Sequence, residues 1–204
     1  MSRPGWVYPP STSPLAAYCS QNAVLDAMKG LRLSAELIQK YESEGFWRGD
    51  TIYSLARWNA GHKPDSFAVR DRFRRLTYRQ LLKAVDTLAA DLAAHGVRPG
   101  QRVGVWLQSR IENVVALLAC SKSGAICCPS LHRDHTVDQV VELIDRMRAA
   151  AVIVQPGYGA DSEQSDLVAL AGRDFLRCAL HVGPVTEAAF ADLPGPAADT
   201  PVSV

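Results

Sequence analysis

The sequence predicts an α/β chain, a mostly parallel sheet covered by helices on both faces, preceded by a helical arm and a small hairpin. Three observations carry this. Short apolar runs such as Ala151-Val152-Ile153-Val154 alternate with longer segments of helical period. Those runs are too continuous for a sheet with one wet face, where every second residue would be polar. The segments between them are long enough for parallel crossovers, which are expected to be right-handed.

Each element has its own warrant. Residues 22–45 carry Leu25, Met28, Leu31, Leu33, Leu37 and Ile38 at helical spacing, and the loop 45–50 follows. Asp50 or Thr51 can cap a helix running through Trp58. Residues 66–70 and 74–77 form two short strands around a tight turn. Thr77-Tyr78-Arg79-Gln80 is a capping-box pattern, and Leu81, Leu82, Val85, Leu88, Ala89 and Leu92 then mark one helical face that Gly96 ends. Residues 102–107 are a strand, and 110–123 a helix apolar nearly all round and closed by Gly124. Residues 125–129 are the next strand, ended by Pro129, where a missing N–H does least harm. A helix over 136–150, the strand 151–154, a short helix over 166–172 and a strand over 177–182 complete the series.

Composition narrows the class. The 204 residues correspond to one large domain, or one with tails. Hydrophobic content of 48% and charge of 21% exclude wholesale disorder. A net charge of +1 excludes a strong overall pull toward nucleic acid or anionic lipid. The longest unbroken apolar run, Val114 to Cys120, is far short of the ~20 residues that span a bilayer, so no transmembrane segment is expected. The 5 cysteines, two of them adjacent, fit reduced thiols and a cytoplasmic setting better than a disulfide framework.

Chemistry-bearing patterns are sparse. Lys122-Ser123 lacks the glycines of a phosphate loop, and Leu107-Gln108-Ser109-Arg110 lacks a dinucleotide-binding triad. Gly157-Tyr158-Gly159 favours a plain turn over a phosphate cradle. Cys127, Cys128, His132 and His135 bring thiols and imidazoles close in sequence, but adjacent strand cysteines point to opposite faces. Structural cysteines and loop histidines are therefore the expectation. Arg70, Arg72, Arg74, Arg75 and Arg79, with Phe73 and Tyr78 interleaved, fit a solvated hairpin face better than a nucleic-acid surface. Trp47 and Trp58 are expected in the core or an interface. No catalytic, cofactor-binding or metal-binding residue is assigned.

Several segments together resemble a known family. Leu76-Thr77-Tyr78-Arg79-Gln80-Leu81 resembles the L-[TS]-Y-x-E-L opening motif of the acyl-adenylate-forming superfamily, with glutamine for glutamate. Residues 96–103 resemble its G-V-x-x-G-D-x-V, with Gln101 for aspartate, and 123–129 its x-G-A-x-x-x-P. Tyr41, Gly45 and Trp47 are similar to the Y-x-x-x-G-x-W lead of stand-alone ligases, and 64–69 to P-D-x-x-A-V. Thr77, Tyr78, Gly96, Gly100, Gly124 and Pro129, the matching residues, are structural ones that set a cap, turns and a strand end.

The resemblance implies the N-terminal subdomain of the adenylate-forming ligase fold, most like an acyl-CoA synthetase or fatty-acid–CoA ligase. It implies a parent enzyme that uses ATP, Mg²⁺ and CoA on a carboxylic acid, with this chain inactive by itself and holding none of them. The remainder of the ligase chain is the implied partner, and a homodimer is a further expectation. The organisation expected is an extended arm over 1–20, the α/β subdomain over 21–183 and a linker over 184–204. The alternative is a free-standing flavodoxin-like module that binds a small ligand or a partner without catalysis.

Overall fold

The computed structural model describes residues 34–129, 132–161 and 173–183. The arm over 1–20, the short helix over 166–172 and the linker over 184–204 lie outside them. The chain divides into two compact units, Met1–Ser54 and Leu55–Val204.

In the first unit, helix α1 spans Ala35–Ser43 and starts at Ser34, whose hydroxyl accepts the Leu37 N–H at 3.2 Å. The helix expected over 22–45 therefore does not run through Ser34. Ser34 adopts extended backbone (φ −73°, ψ 154°), so its side chain serves as a cap. After α1, Gly45 takes φ +74° and the chain turns back. The Tyr41 carbonyl then accepts both the Phe46 and Trp47 N–H groups, at 2.9 and 3.0 Å. The Tyr41 ring contacts both aromatic rings. The Tyr-Gly-Trp spacing is thus a local turn closed by aromatic contact. Thr51 and Ser54 cap helix α2, Ile52–His62, reciprocally through backbone N–H and hydroxyl at 2.9 and 3.1 Å. The helix runs past Trp58 because His62 stacks on Trp58 at 4.0 Å and its Nδ1 meets the Trp58 carbonyl.

From Leu55 on, α2 belongs to the second unit, which continues with an antiparallel hairpin, β1 (Phe67–Arg70) and β2 (Arg75–Thr77), with an irregularity at Ala68. Helix α3, Tyr78–Ala94, follows directly. Its capping box forms as expected, Thr77 Oγ1 accepting from Gln80 N at 3.3 Å and Gln80 Oε1 from Thr77 N at 2.9 Å. Then come β3 (Arg102–Trp106), α4 (Ile111–Ser123), β4 (Ile126–Cys128), α5 (Val137–Met147), β5 (Ala151–Val154) and β6 (Cys178–His181). The four strands pair in parallel in the order β4-β3-β5-β6.

This order explains the layers. The chain steps one way from β3 to β4, then back across β3 to β5, so crossovers of one hand place α4 and α5 on opposite faces. Alternation sorts the strand residues accordingly. Trp106, Val152, Val154 and Ala179 pack with Val137, Val140 and Ile144 of α5. Val103, Val105, Ala151, Ile153, Cys178 and Leu180 turn to the other face, and α4 packs on β3, β4 and α3. Strand β5 is buried at all four positions, as its apolar run requires. β4 departs from that pattern: it lies at the end of the described sheet and leaves Ile126 46% exposed.

Thr136 forms a second capping box with Gln139, which its Thr-x-x-Gln spacing encodes. Thr136→Ala is expected to lower stability by about 1 kcal/mol. A fall in the urea midpoint at constant slope would register it. The substitution leaves the Asp161 carboxylate accepting the Val137 N–H at 3.0 Å, so α5 keeps part of its cap.

Candidate functional site at the carboxyl edge of the sheet

In a doubly wound sheet, ligands settle outside the carboxyl ends of the strands where the winding direction switches. Here that point lies between β3 and β5. It receives the loop after β3 (107–110), the amino end of α4, and the loop after β5 (155–161).

What the chain places there is a buried ionic cluster. Glu112, in the first turn of α4, is 5% exposed. Arg74 reaches it from the hairpin with two parallel bonds of 2.7 Å, Nη1 to Oε1 and Nη2 to Oε2. Arg110 adds Nε to Oε2 at 2.7 Å and Nη2 to Oε1 at 3.0 Å. One carboxylate therefore holds two guanidinium forks. Asp71 balances the second positive charge: its Oδ2 accepts from Arg74 Nη2 and Nε at 2.6 and 3.0 Å. Asp71 Oδ1 also accepts the Phe73 and Arg74 N–H groups, which shapes the hairpin turn.

Arg110 does more than pair. Its Nη1 donates to Gln155 Oε1 at 3.2 Å beyond β5 and to the Gly183 carbonyl at 3.0 Å beyond β6. One side chain laces the ends of three strands across the switch point. Burial alone would raise the Glu112 pKa, but hydrogen bonds and charge from Arg74 and Arg110 outweigh it and bring it to about 2. Burial likewise opposes ionisation of Asp71, yet its bonds to Arg74 and to the Phe73 and Arg74 backbone hold its pKa below the usual value. Both acids are ionised and saturated, so neither is free to transfer a proton near neutral pH.

The rest of the edge is filled by an aromatic anchor. Trp106, 1% exposed at the end of β3, donates Nε1–H to the His132 carbonyl at 3.1 Å and meets the Tyr158 ring edge-on. A Cβ at Gly159 would fall 2.7 Å from Trp106 Cζ2, so Gly159 belongs to packing rather than to a phosphate cradle. Ala160 N–H bonds to the His135 carbonyl at 3.0 Å. At β6, the buried His181 Nε2 has no hydrogen-bond partner among the described residues.

The structure separates the candidates raised by the sequence. His132 and His135 lie together, rings 5.8 Å apart, in the loop over Trp106. Cys127 shares a strand face with Val103 and Cys128 with Gly104, the opposite one. Among the described residues, no three His, Cys, Asp or Glu side chains gather to hold a metal ion. Of the arginine cluster, Arg70, Arg72, Arg75 and Arg79 are exposed, with Arg72 and Arg75 over the Phe73 and Phe67 rings. Arg74 departs from the expected solvated face and is buried in the ion cluster. Trp47 remains 39% exposed. A solvent-open hollow of about 580 Å³, which Arg79 and Lys83 help to line, faces the amino half of α3 rather than the strand ends.

The carboxyl edge is occupied largely by the chain's own side chains. Its two buried carboxylates are committed to arginines, and the loop after β3 has no glycine to let a phosphate approach the backbone. Asp71, Arg74, Arg110 and Glu112 were not assigned from sequence, although one signal was present. Glu112 stands among apolar residues in a helix with little polar face, where a charge must be paired or exposed.

A parallel sheet with this winding defines a doubly wound α/β subdomain. The model of AMP-binding enzymes matches residues 56–198, and the chain belongs to that family. Phosphinothricin tripeptide synthetase PhsC of Streptomyces viridochromogenes is 34% identical over 146 residues, 71% of this chain and 13% of that protein. The salicylyl-CoA synthase / salicylate adenylyltransferase of a Streptomyces species is 36% identical over 102 residues, 49% of this chain and 18% of that protein. Among solved structures, apo MbtA of Mycobacterium smegmatis superposes with a TM-score of 0.59 at 31% identity, over 73% of this chain and 27% of that one. The chain thus spans between an eighth and about a quarter of the length of these relatives.

Proposed function

We propose that this chain supplies the N-terminal α/β subdomain of an ATP-dependent acid–thiol ligase of the acyl-CoA synthetase type, and that it does not turn over substrate alone. In that reaction a carboxylate attacks the α-phosphorus of ATP, pyrophosphate leaves, and the thiol of CoA then displaces AMP from the acyl-adenylate. ATP, Mg²⁺, CoA, a carboxylic acid and the remainder of a ligase chain are the partners of this reading, and the cytoplasm its setting. The observation that carries it is the family match across residues 56–198, which covers the hairpin and the whole parallel sheet. The Tyr41–Gly45–Trp47 turn supports CoA over a carrier protein as acceptor, because that lead resembles stand-alone ligases. Among the described residues, no helix is long and apolar enough to cross a membrane.

Two measurements test this. With ATP, Mg²⁺ and a panel of carboxylic acids, the chain alone is expected to release no pyrophosphate, and turnover would overturn the proposed division of labour. Grafted in place of the matching segment of an active CoA ligase, residues 55–183 are expected to restore ATP–pyrophosphate exchange. A folded graft without exchange would count against the reading. The flavodoxin-like module remains the second reading because β4-β3-β5-β6 reproduces that winding. Calorimetry separates the two: micromolar binding of a flavin or nucleotide by the chain alone favours the module.

A further inference from the structure

Cysteines 120 and 127 lie away from the carboxyl-edge cluster, and the fold brings them together. Cys120 sits in the last turn of α4 at 1% exposure. Its carbonyl accepts the N–H groups of Gly124 and Ala125, so the chain folds straight back from this residue into β4. The reversal uses Gly124 at φ +72°, the left-handed position a helix end of this kind requires. In β4, Cys127 is in register with Val103, which places its side chain on the face that α4 covers. Cys128 is in register with Gly104 and turns to the other face. The two thiols lie near enough for each to shift the ionisation of the other.

We propose that Cys120 and Cys127 are a redox-active dithiol, a modification site that peroxide oxidants close to an intramolecular disulfide. The two sulfurs are unequal, and the inequality assigns their roles. The neighbouring Cys120 thiol holds Cys127 below the ordinary thiol range despite its partial burial. The Cys127 neighbour, with burial, pushes Cys120 up. Cys127 is also the more exposed of the two, so it meets the oxidant first.

The Cys127 thiolate attacks one peroxide oxygen, the O–O bond breaks, and the departing hydroxide takes a proton to leave as water, giving a sulfenic acid. The Cys120 sulfur then attacks the Cys127 sulfur. An S–S bond forms, the S–O bond breaks, and hydroxide leaves as a second water with the Cys120 proton. Two thiols have lost two electrons and peroxide has gained them. Cys128 is the competing partner by sequence, but its side chain lies on the far face of β4. The product is a covalent clamp across the joint between α4 and β4, reversed by dithiothreitol.

The test treats the full chain with hydrogen peroxide and maps peptides without reduction. A Cys120–Cys127 cross-linked peptide, two hydrogens lighter than its free components and lost on reduction, is expected. Cys128→Ser and Cys178→Ser are expected to leave its yield unchanged, whereas Cys127→Ala abolishes it. Cys120→Ala is expected to stop at a Cys127 sulfenic acid that dimedone traps. Pairing of Cys127 with Cys128 or with a second chain, or further oxidation of Cys127 while Cys120 stays a free thiol, would overturn the proposal. That result is readable in the unsubstituted chain even if a variant fails to fold. The site does not depend on the ligase reading.

Discussion

Glu112→Gln is expected to destabilise the chain by about 3–5 kcal/mol at neutral pH, because it leaves two buried guanidinium groups with one remaining counter-charge. Arg74 and Arg110 are only 3% and 6% exposed, so water cannot replace the lost carboxylate. The amide preserves shape and one acceptor oxygen, and what it removes is charge. Acid should reproduce the loss in the unsubstituted chain. A folded-state pKa of about 2 against an ordinary 4.5 means the stabilisation is complete above pH ~4.5 and disappears as pH falls toward 2. The gap corresponds to about 3 kcal/mol. Asp71 is shifted in the same direction and adds to the slope. Urea titrations across that window should show a steep dependence in the parent and a shallower one in Glu112→Gln. Equal slopes would mean the carboxylate is not held by its arginines.

Gly159→Ala is expected to cost about 2–3 kcal/mol, from overpacking together with an unfavourable backbone conformation. The new Cβ would lie 2.7 and 2.9 Å from two Trp106 ring carbons and 3.3 Å from the His135 carbonyl, at φ +144°. Trp106 is locked by its bond to His132, so the ring cannot swing aside without breaking it. A double-mutant cycle with Trp106→Phe isolates the clash, because phenylalanine lacks the offending ring atoms. The alanine is expected to cost at least about 1 kcal/mol less in that background. Strict additivity would show that the backbone angle, rather than the indole, is what excludes a side chain.

Local chemistry made much of the fold legible. The Thr77–Gln80 box, the glycine after α4 and the apolar run of β5 each depend on a few neighbouring residues, and each formed where expected. Ser34 shows the limit of periodicity: apolar spacing runs through it in the sequence, but its hydroxyl caps the helix that begins at Ala35. The ion cluster was illegible for another reason. Arg74 and Glu112 lie 38 residues apart and meet only when the hairpin docks on α4. Glu112 within an apolar helix indicated that a partner must exist without saying which of many arginines it was. Cys120 and Cys127 are close in sequence, yet their meeting depends on the register of β4 against β3, which no local pattern specifies.

The arginine-held hairpin turn also sets the order in which parts of the molecule let go as the solvent changes. Lys122–Asp86 and Arg173–Asp145 are solvent-accessible bridges, so added salt weakens them first. The Asp71–Arg74–Glu112 contact is shielded from mobile ions and survives that treatment. Acid reverses the sequence, since protonating one buried carboxylate frees the turn from α4 while the apolar face under α5 remains intact. Hydrogen exchange at residues 71–76 would then rise before exchange at 151–154, making the hairpin the first cooperative unit to open in acid and among the last in brine.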